Sequence, residues 1–223
     1  VYTLTHNGYI KRLPTVENRA QGRGGKGVKA MATREEDYVE TVFTASTHDS
    51  ILFFTNLGKV YVRKGYRIPE AGRSARGQNI VNIIPTDPGE KVSAMIAGRG
   101  VTEDNYLVFV TRNGTVKRTA QSAFKNIRSN GIRALSLDEG DELISVLQTT
   151  GEDKILLATH DGMAICFAET DARAMGRDAV GVRGIRLREG DYVVGAGIAA
   201  EGAAILSITE NGYGKRTDVG EYS

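Results

Sequence analysis

The chain has 223 residues, of which 40% are hydrophobic and 25% charged, and a formal net charge of +2, so it can bury a substantial core. No apolar run approaches the ~18 residues that span a membrane, and nothing at the N-terminus resembles a signal peptide. The single Cys166 allows no internal disulfide, which is consistent with a reducing, cytoplasmic compartment.

Five hairpin turns recur along the chain, each a Thr-x-x-Gly tetrapeptide between two apolar strands. Four of the five end in Asn-Gly or Asp-Gly, which favours a type I′ turn with positive φ at both central residues. The turns are Thr5-His6-Asn7-Gly8, Thr55-Asn56-Leu57-Gly58, Thr111-Arg112-Asn113-Gly114, Thr159-His160-Asp161-Gly162 and Thr209-Glu210-Asn211-Gly212. Their glycines are 50, 56, 48 and 50 residues apart, which predicts a repeat of about 50 residues.

A second glycine follows each of the first four turns, at an offset of 19, 19, 17 or 19 residues, and opens another expected strand. These glycines are Gly27, Gly77, Gly131 and Gly181, and the strands are expected at 28–31, 80–84, 132–137 and 182–187. An acidic turn comes next, for example Asp138-Glu139-Gly140-Asp141, and a strand such as 143–147 closes the unit. Four short strands per repeat predict an all-β, propeller-like array of four-stranded blades.

We expect one domain over residues 1–223, with blades at about 1–48, 49–104, 105–152 and 153–202 and a partial fifth blade at 203–223. Helix signals are nearly absent, and the best candidate is a turn or two around 121–124. The chain begins inside an expected strand and ends just after the fifth hairpin, so we expect it to be a piece of a longer polypeptide.

Basic residues recur at the same phase of successive units, whereas acidic residues gather at the later turn of each unit. Residues 9–30 and 59–82 each hold six Lys or Arg against one acid, and residues 112–133 hold six with no acid. The fourth unit is weaker, because its arginines face Glu169, Asp171 and Asp178. Since repeated geometry places equivalent segments along one rim, the near-neutral chain is expected to carry a cationic stripe.

One segment of the first unit is unusually rich in glycine and basic residues. It consists of Gln21, Gly22, Arg23, Gly24, Gly25, Lys26 and Gly27. Glycine lets the backbone approach an anion closely, and successive backbone N–H groups can line a phosphate-sized concavity. This heptad therefore indicates contact with a polyanion.

Catalytic and metal-binding patterns are not found in the sequence. His6 and His160 fall in hairpin turns and His48 in a loop, so no pair has metal or triad spacing. Cys166 lies in an apolar strand and is expected to pack there. Lys26-Gly27 is followed by an expected strand, whereas a nucleotide phosphate loop ends in Lys-Ser or Lys-Thr before a helix. We expect no catalytic residue, metal or cofactor in this chain.

These features together resemble the C-terminal domain family of the DNA gyrase A subunit. The heptad at 21–27 matches that family's box except at Gly22, where the family usually has a cation, and the hairpins at 10–12, 116–118 and 214–216 resemble its blades. The resemblance implies a β-pinwheel whose blades exchange strands and whose outer surface binds DNA. The residues expected to contact DNA, besides the box, are Lys11, Arg12, Lys29, Arg63, Lys64, Arg67, Arg73, Arg76, Lys117, Arg118, Lys125, Arg128, Arg133, Arg183, Arg186, Lys215 and Arg216.

The family's role implies that the domain wraps duplex DNA without reading its sequence and so gives direction to ATP-dependent negative supercoiling. The implied partners are double-stranded DNA, the rest of the gyrase A dimer and gyrase B in an A2B2 holoenzyme, with ATP and Mg used by other parts and no membrane. Two alternatives stay open. One is the equivalent domain of topoisomerase IV, and the other is an unrelated propeller that serves as a protein-interaction module.

Overall fold

The computed structural model describes residues 1–15, 37–98, 105–200, 203–208 and 214–217. Its strands are β1 Tyr2–Thr5, β2 Tyr9–Arg12, β3 Val39–Phe43, β4 Ser50–Thr55, β5 Lys59–Lys64, β6 Gln78–Asn79, β7 Val92–Ala97, β8 Tyr106–Thr111, β9 Thr115–Ala120, β10 Ile132–Arg133, β11 Leu143–Thr149, β12 Lys154–Thr159, β13 Ala164–Ala168, β14 Val182–Arg183, β15 Val193–Ala200, β16 Ala203–Ile208 and β17 Gly214–Thr217. Helical structure in the described ranges consists of short 3-10 turns, at Gly65–Arg67, Ile80–Asn82, Gln121–Phe124 and Glu169–Asp171, so none could cross a bilayer. The helical turn expected around 121–124 is confirmed.

The strands form four antiparallel sheets, in the orders β3-β1-β2-β6, β7-β4-β5-β10, β11-β8-β9-β14 and β13-β12-β15-β16-β17. In the first three sheets one edge strand comes from the next repeat, because β6 pairs with β2, β10 with β5 and β14 with β9. On the other side of the sheets, β7 of the second sheet contacts β11 of the third, and β11 contacts β15 of the fourth. The all-β array of blades that exchange strands is thereby confirmed.

The fifth hairpin consists of β16 and β17. It pairs with β15 and therefore extends the fourth sheet instead of starting a sheet of its own. The blade limits drawn from the sequence stay a prediction, because each exchanged strand crosses the limit of its repeat.

The first four hairpin turns share one hydrogen-bonding pattern. In each of them the glycine N–H donates to the carbonyl of the threonine three residues earlier, at 3.0–3.1 Å. The threonine hydroxyl accepts the backbone N–H four residues on in the first, third and fourth turns, at 3.0–3.1 Å. Among the described residues only glycines have positive φ, for example Gly8 at 88°. The expected type I′ turns are therefore wrong, and the left-handed conformation is confined to the last turn position, as in three-residue hairpin loops.

The strands expected at 80–84, 132–137 and 182–187 are also wrong in extent. The exchanged strands β6, β10 and β14 have two residues each, and Ile80–Asn82 forms a 3-10 turn. The physical reason is a change of hydrogen-bond partner. After each exchanged strand the next backbone N–H, that of Ile80, Ala134 or Gly184, donates to the carbonyl of the preceding blade's hairpin glycine at 2.7–2.8 Å, which ends the ladder.

Hydrophobic clusters lie between consecutive sheets. Tyr2, Leu4 and Ile10 of the first sheet pack with Ile51 and Phe53 of the second. Phe54 of the second sheet packs edge-on against Phe109 and Phe124 of the third unit, with ring centroids 5.5 and 5.8 Å apart, and Val108 and Val110 face Ile155 and Leu157 of the fourth. Burying one such side chain contributes about 1.5–3 kcal/mol, so both faces of the inner blades are stabilised by their neighbours.

Each blade has two ends. The hairpin end carries the Thr-x-x-Gly turn, and the loop end lies at the other end of the same strands. The connection from each blade to its exchanged strand begins at the loop end, and we call these connections the outer segments: first 64–79, second 120–133 and third 168–186. Each outer segment runs along the outer hairpin strand of the preceding blade.

Candidate nucleic-acid interface

The first outer segment runs along the edge of the preceding blade, from its loop end to its hairpin end. At the loop end the N–H of Arg12 donates to Pro69 at 3.1 Å, and Ala71 donates back to Arg12 at 3.2 Å. Higher up, Gln78 pairs with Ile10, and at the hairpin end Ile80 donates to Gly8 at 2.7 Å. The third outer segment repeats this course along β9, where Met175 donates to Arg118 and Arg183 pairs with Thr115.

Two of the lysines expected to contact DNA are buried. Lys11 is 0% exposed, and its Nζ donates to the carbonyls of Gly72, Arg73 and Ala75 at 2.9–3.1 Å. Lys117 is 1% exposed, and its Nζ donates to Ala134, Gly176 and Arg177 at 2.6–3.1 Å. The prediction that these two lysines bind DNA is wrong, because each side chain is buried and each ammonium donates to three backbone carbonyls.

Burial changes the chemistry of these lysines as well. It lowers the pKa of Lys11, and it lowers the pKa of Lys117 to about 8. Burial is also the main cause that lowers the pKa of Arg63. All three cations stabilise the joints between blades, and Lys11 and Lys117 are withheld from solvent.

Three arginines from the expected set are also engaged within the fold. Arg12 Nε donates to the carbonyl of Ile68 at 2.8 Å. Arg118 Nε donates to Ala172 at 2.8 Å, and its guanidinium lies 3.6 Å from the fully buried Glu169. Arg63 donates to Ile83 and, through Nη2, to Ser129 of the second outer segment at 2.9 Å. Arg12, Arg118 and Arg63 therefore fasten outer segments and the chain between blades, and their expected contact with DNA stays a prediction.

The other expected cations of the outer segments point to solvent. The exposed ones are Lys64, Arg67, Arg73, Lys125, Arg128, Arg133, Arg183 and Arg186. Arg76 is half-buried, and its guanidinium stacks over the ring of Tyr9 with its carbon 4.1 Å from the centroid. We call the eight exposed residues the outer basic rim.

Part of the expected site cannot be placed. The box residues Gln21–Gly27 and Lys29 lie outside the described residues. Lys215 and Arg216 belong to β17, which pairs with β16.

The acidic turns have a structural task. Asp141 accepts the N–H groups of Asn113 and Glu142 at 3.0 and 2.8 Å, and Asp191 accepts those of Asp161 and Tyr192 at 3.0 and 2.9 Å. Asp37 does the same in the first blade. These carboxylates fasten the first, third and fourth hairpin turns to the start of the blade's last strand, so their negative charge stays away from the outer segments.

One histidine and two aspartates meet at the fourth hairpin. Ligand atoms of His160, Asp161 and Asp191 lie within 4.8 Å of one another. Asp191 is already engaged with backbone N–H groups, which together with Thr159 hold its pKa below the usual value against the opposing effect of burial. The arrangement repeats the first blade's Asp37 turn and is accounted for by the fold.

The burial of the two lysines left a signal in the sequence. Three residues after the hairpin glycine stand Lys11, Tyr61, Lys117 and Ile165 in the four units. Tyr61 is fully buried and Ile165 half-buried. Because equivalent positions of a repeat face the same way, the apolar side chains in two units place the lysines of the other two units in the interior.

Comparison with known proteins agrees with the geometry. The family model described as DNA gyrase C-terminal domain, beta-propeller, matches residues 1–46, 49–98, 105–150, 153–200 and 204–223. The A subunit of DNA gyrase from Staphylococcus aureus (strain NCTC 8325 / PS 47) is 51% identical over 225 residues, which cover all of this chain and 25% of that protein. The chain thus spans about a quarter of the length of the curated relatives it matches.

Solved structures give the same result. The C-terminal domain of DNA topoisomerase IV superposes with a TM-score of 0.76 at 30% identity, over 91% of this chain and 62% of that one. A DNA gyrase A C-terminal domain gives 0.75 at 29% identity, over 98% and 71%. The E. coli ParC C-terminal domain, at 13% identity and a TM-score of 0.68, is similar in fold alone.

The family model thus matches the chain in five segments that follow its repeats, and the sheets exchange strands with an exposed basic rim along the exchange. This chain belongs to the DNA gyrase C-terminal domain, β-propeller family.

Proposed function

We propose that this domain binds duplex DNA along the outer basic rim and wraps it, without reading base sequence. The observation that carries the proposal is that the eight cations of the outer basic rim remain exposed after the fold has used Lys11 and Lys117 internally. Lys and Arg side chains on a convex edge neutralise phosphates and release counterions, which supplies affinity independent of sequence.

Wrapping needs many contacts of this kind. DNA has a persistence length of about 150 bp, and bending a 20–30 bp site by 40–90° costs on the order of 1–6 kcal/mol. Because the rim continues over three outer segments, its contacts are spread along the duplex and can offset the bending. The helices of the described part are single 3-10 turns, which gives no recognition helix to enter a major groove.

The wrap would serve a larger enzyme. In this proposal the domain is part of a gyrase A protein, which dimerises and joins gyrase B in an A2B2 holoenzyme in the bacterial cytoplasm. ATP and Mg would act in other parts of that assembly, and this domain would supply no catalytic residue. Wrapping would present a second duplex segment to the strand-passing core in one orientation, which gives negative supercoiling its direction.

Plasmid topology tests the proposal. Nicked plasmid is incubated with the purified full-length gyrase A protein reconstituted with gyrase B, without nucleotide, and then ligated and deproteinised. Wrapping leaves a linking-number change that grows with the ratio of protein to DNA. Removal of this domain from the full-length protein should abolish the change, and a linking number unaffected by the intact holoenzyme would contradict the proposal.

If this chain were the equivalent domain of topoisomerase IV, the whole enzyme would carry out a different reaction. The 51% identity to a gyrase protein over the whole chain favours gyrase over the 30% identity to the topoisomerase IV domain. The family match also argues against an unrelated interaction module. A reaction with relaxed plasmid and ATP distinguishes gyrase from topoisomerase IV. A gyrase introduces negative supercoils into the plasmid, whereas an enzyme that lacks the wrap only relaxes or decatenates DNA.

A further inference from the structure

Neighbouring blades are bonded to each other at their hairpin ends by a repeated backbone hydrogen bond. The donor is the first residue of a blade's last strand, and the acceptor is the second residue of the preceding hairpin turn. Leu143, which begins β11, donates its N–H to the carbonyl of Asn56 at 2.9 Å, and Val193, which begins β15, donates to Arg112 at 2.8 Å. The second blade is thereby bonded to the third, and the third to the fourth.

The junction between the first and second blades lacks this bond. The equivalent donor is Val92, which begins β7, and the equivalent acceptor is the carbonyl of His6, but no hydrogen bond joins them in the described structure. The connection is also longer here. Gly77 and Gly89 are 12 positions apart, against nine for the matching glycines of the next two units, and the 3-10 turn Ile80–Asn82 lies between them. Val92 and His6 therefore lack the partner that their counterparts have.

A cavity of about 640 Å³ lies at this open junction. It is lined by Leu4 and His6 of the first blade, by Val92 of the second, and by Ile80 and Val81 of the connection. Val81 is 55% exposed, so the cavity offers an aliphatic surface that the fold leaves uncovered. Sites for small molecules have volumes of about 300–1,000 Å³ and walls that are largely apolar, with a few polar groups that orient the ligand.

The two blades contribute opposite polar groups to this cavity. The first blade contributes acceptors, the carbonyl of His6 and the carboxylate of Glu40. One oxygen of Glu40 lies 3.4 Å from the His6 ring, and the other has no hydrogen bond within the described ranges. The second blade contributes donors, the Val92 N–H and the exposed ammonium of Lys91, which has no carboxylate within 4 Å among the described residues. Asn56 fixes Lys91 by accepting its backbone N–H at 2.8 Å.

The other charged side chains that line the cavity already have partners. Glu142 lies 3.7 Å from Arg112 of the same blade. Glu90 is buried and accepts the hydroxyls of Thr55 and Tyr61 at 2.7 and 3.1 Å. In the part of the chain that the structure describes, a carboxylate of the first blade and an ammonium of the second therefore remain for a ligand.

We propose that this cavity binds a short peptide of two or three residues in its zwitterionic form. The peptide's ammonium group binds Glu40 and the His6 carbonyl, its carboxylate binds Lys91 and the Val92 N–H, and an aliphatic side chain packs on Val81. Hydrogen bonds between charged groups are roughly twice as strong as neutral ones, so the two ends orient the ligand. The site lies beside the last strands of the blades, whereas the outer basic rim lies on the outer segments, so the peptide and DNA bind independently.

Calorimetric titration of the full-length gyrase A protein with chemically matched probes tests the site. The dipeptide Leu-Leu should bind with a dissociation constant on the order of 0.1–1 mM. N-acetyl-Leu-Leu lacks the ammonium group and Leu-Leu amide lacks the carboxylate, and each should bind about tenfold more weakly. Gly-Gly, which has no side chain to bury, should lose at least about tenfold. Equal affinities of the four probes, or no binding of Leu-Leu at about 10 mM, would overturn the proposal.

Two substitutions then assign the ends of the peptide. Lys91→Gln should weaken Leu-Leu about tenfold and abolish its advantage over the amide, and Glu40→Gln should abolish its advantage over the acetylated probe. Lys154→Gln, at an exposed position outside the cavity, is the matched control and should stay within about twofold of wild type. A Lys91→Gln variant that still preferred the free carboxylate would overturn the assignment. Saturating duplex DNA should leave the affinity for Leu-Leu within about twofold, and displacement of the peptide would show that it had bound the outer basic rim instead.

Discussion

Gly181 lies directly against Lys117: a Cβ added to Gly181 would lie 3.0 Å from the Cβ of Lys117 and 2.5 Å from the carbonyl oxygen of Val116. Gly77 has the same relation to Lys11, with 3.0 Å to its Cβ and 2.5 Å to the carbonyl of Ile10. At these two positions the second glycine of the repeat is therefore the point where an outer segment packs onto the preceding blade. The lysine beside it fastens the same segment from within.

We expect Gly181→Ala to lower the free energy of unfolding by about 2–4 kcal/mol, because the backbone there has φ +115° and the new methyl group would overlap a backbone oxygen. Thermal or urea unfolding measures the loss. Gly176→Ala is the matched control in the same segment, since a Cβ there meets nothing within 4 Å. Equal stabilities of the two variants would contradict the close packing.

Replacing Lys117 by Met should lower the free energy of unfolding by roughly 3 kcal/mol, because the three carbonyls that bind its Nζ lose their donor. Lys125→Met removes the same charge from an exposed site and should change stability by less than about 0.5 kcal/mol. When only folded protein is compared, Lys125→Met should weaken DNA binding more than Lys117→Met. If folded Lys117→Met lost more affinity than Lys125→Met, the buried position of Lys117 would be wrong.

The lowered pKa of Lys117 makes part of the stability depend on pH. The ordinary lysine value is 10.5 and the folded value about 8, so between these limits the unfolded chain binds more protons than the folded one. The contribution of Lys117 to the unfolding free energy therefore rises with pH across this window. Urea unfolding of wild type and Lys117→Met should show the difference in stability moving in favour of wild type between about pH 8 and pH 10. A constant difference would mean that the ammonium keeps its ordinary pKa.

Binding to duplex DNA should weaken steeply with salt. Each neutralised phosphate contributes about −0.9 to the slope of log K against log salt, so a rim of eight exposed cations should give a slope of about −5 or steeper. Fluorescence titration of a labelled duplex over a range of salt concentrations gives this slope, and a duplex of scrambled sequence should give the same one. A slope shallower than about −2 would show that the outer basic rim is not the binding surface.

The box at 21–27 should matter more for bending than for binding. It holds two of the many cations of the chain, so replacing its residues by alanine should cost modest affinity. In a reconstituted holoenzyme, ATP-dependent negative supercoiling should vanish while relaxation and decatenation persist. A box variant that still introduced negative supercoils at the normal rate would contradict the role of this segment.

The repeat and its hairpins could be predicted because glycine and threonine act locally, whereas the exchange of strands between blades was expected only from the resemblance to the family. The Thr5 hydroxyl accepts the N–H of Tyr9 within its own turn, so the sequence pattern and the contact coincide. The length of the exchanged strands could not be predicted in this way. It depends on the bond from Ile80 to Gly8, which joins two repeats.

The charge of the candidate site could be predicted from the sequence, but which of its cations are exposed could be predicted only in part. Arg128 and Lys117 look alike in sequence, yet one is exposed and the other is enclosed by carbonyls more than fifteen residues away along the chain. Only the comparison of equivalent positions, where Tyr61 and Ile165 stand in place of lysine, separates them. Long-range contacts decide which cations remain for a ligand.

Strand exchange also ties folding to the order of synthesis. The β1–β2 hairpin is synthesised before its outer partner β6, which is complete only when residue 79 has been made. At roughly 5–20 residues per second, the edge of β2 waits several seconds with its backbone N–H and C=O groups unpaired. The second and third blades wait in the same way for β10 and β14, so the nascent domain carries an unfinished sheet edge until residue 183 has been made.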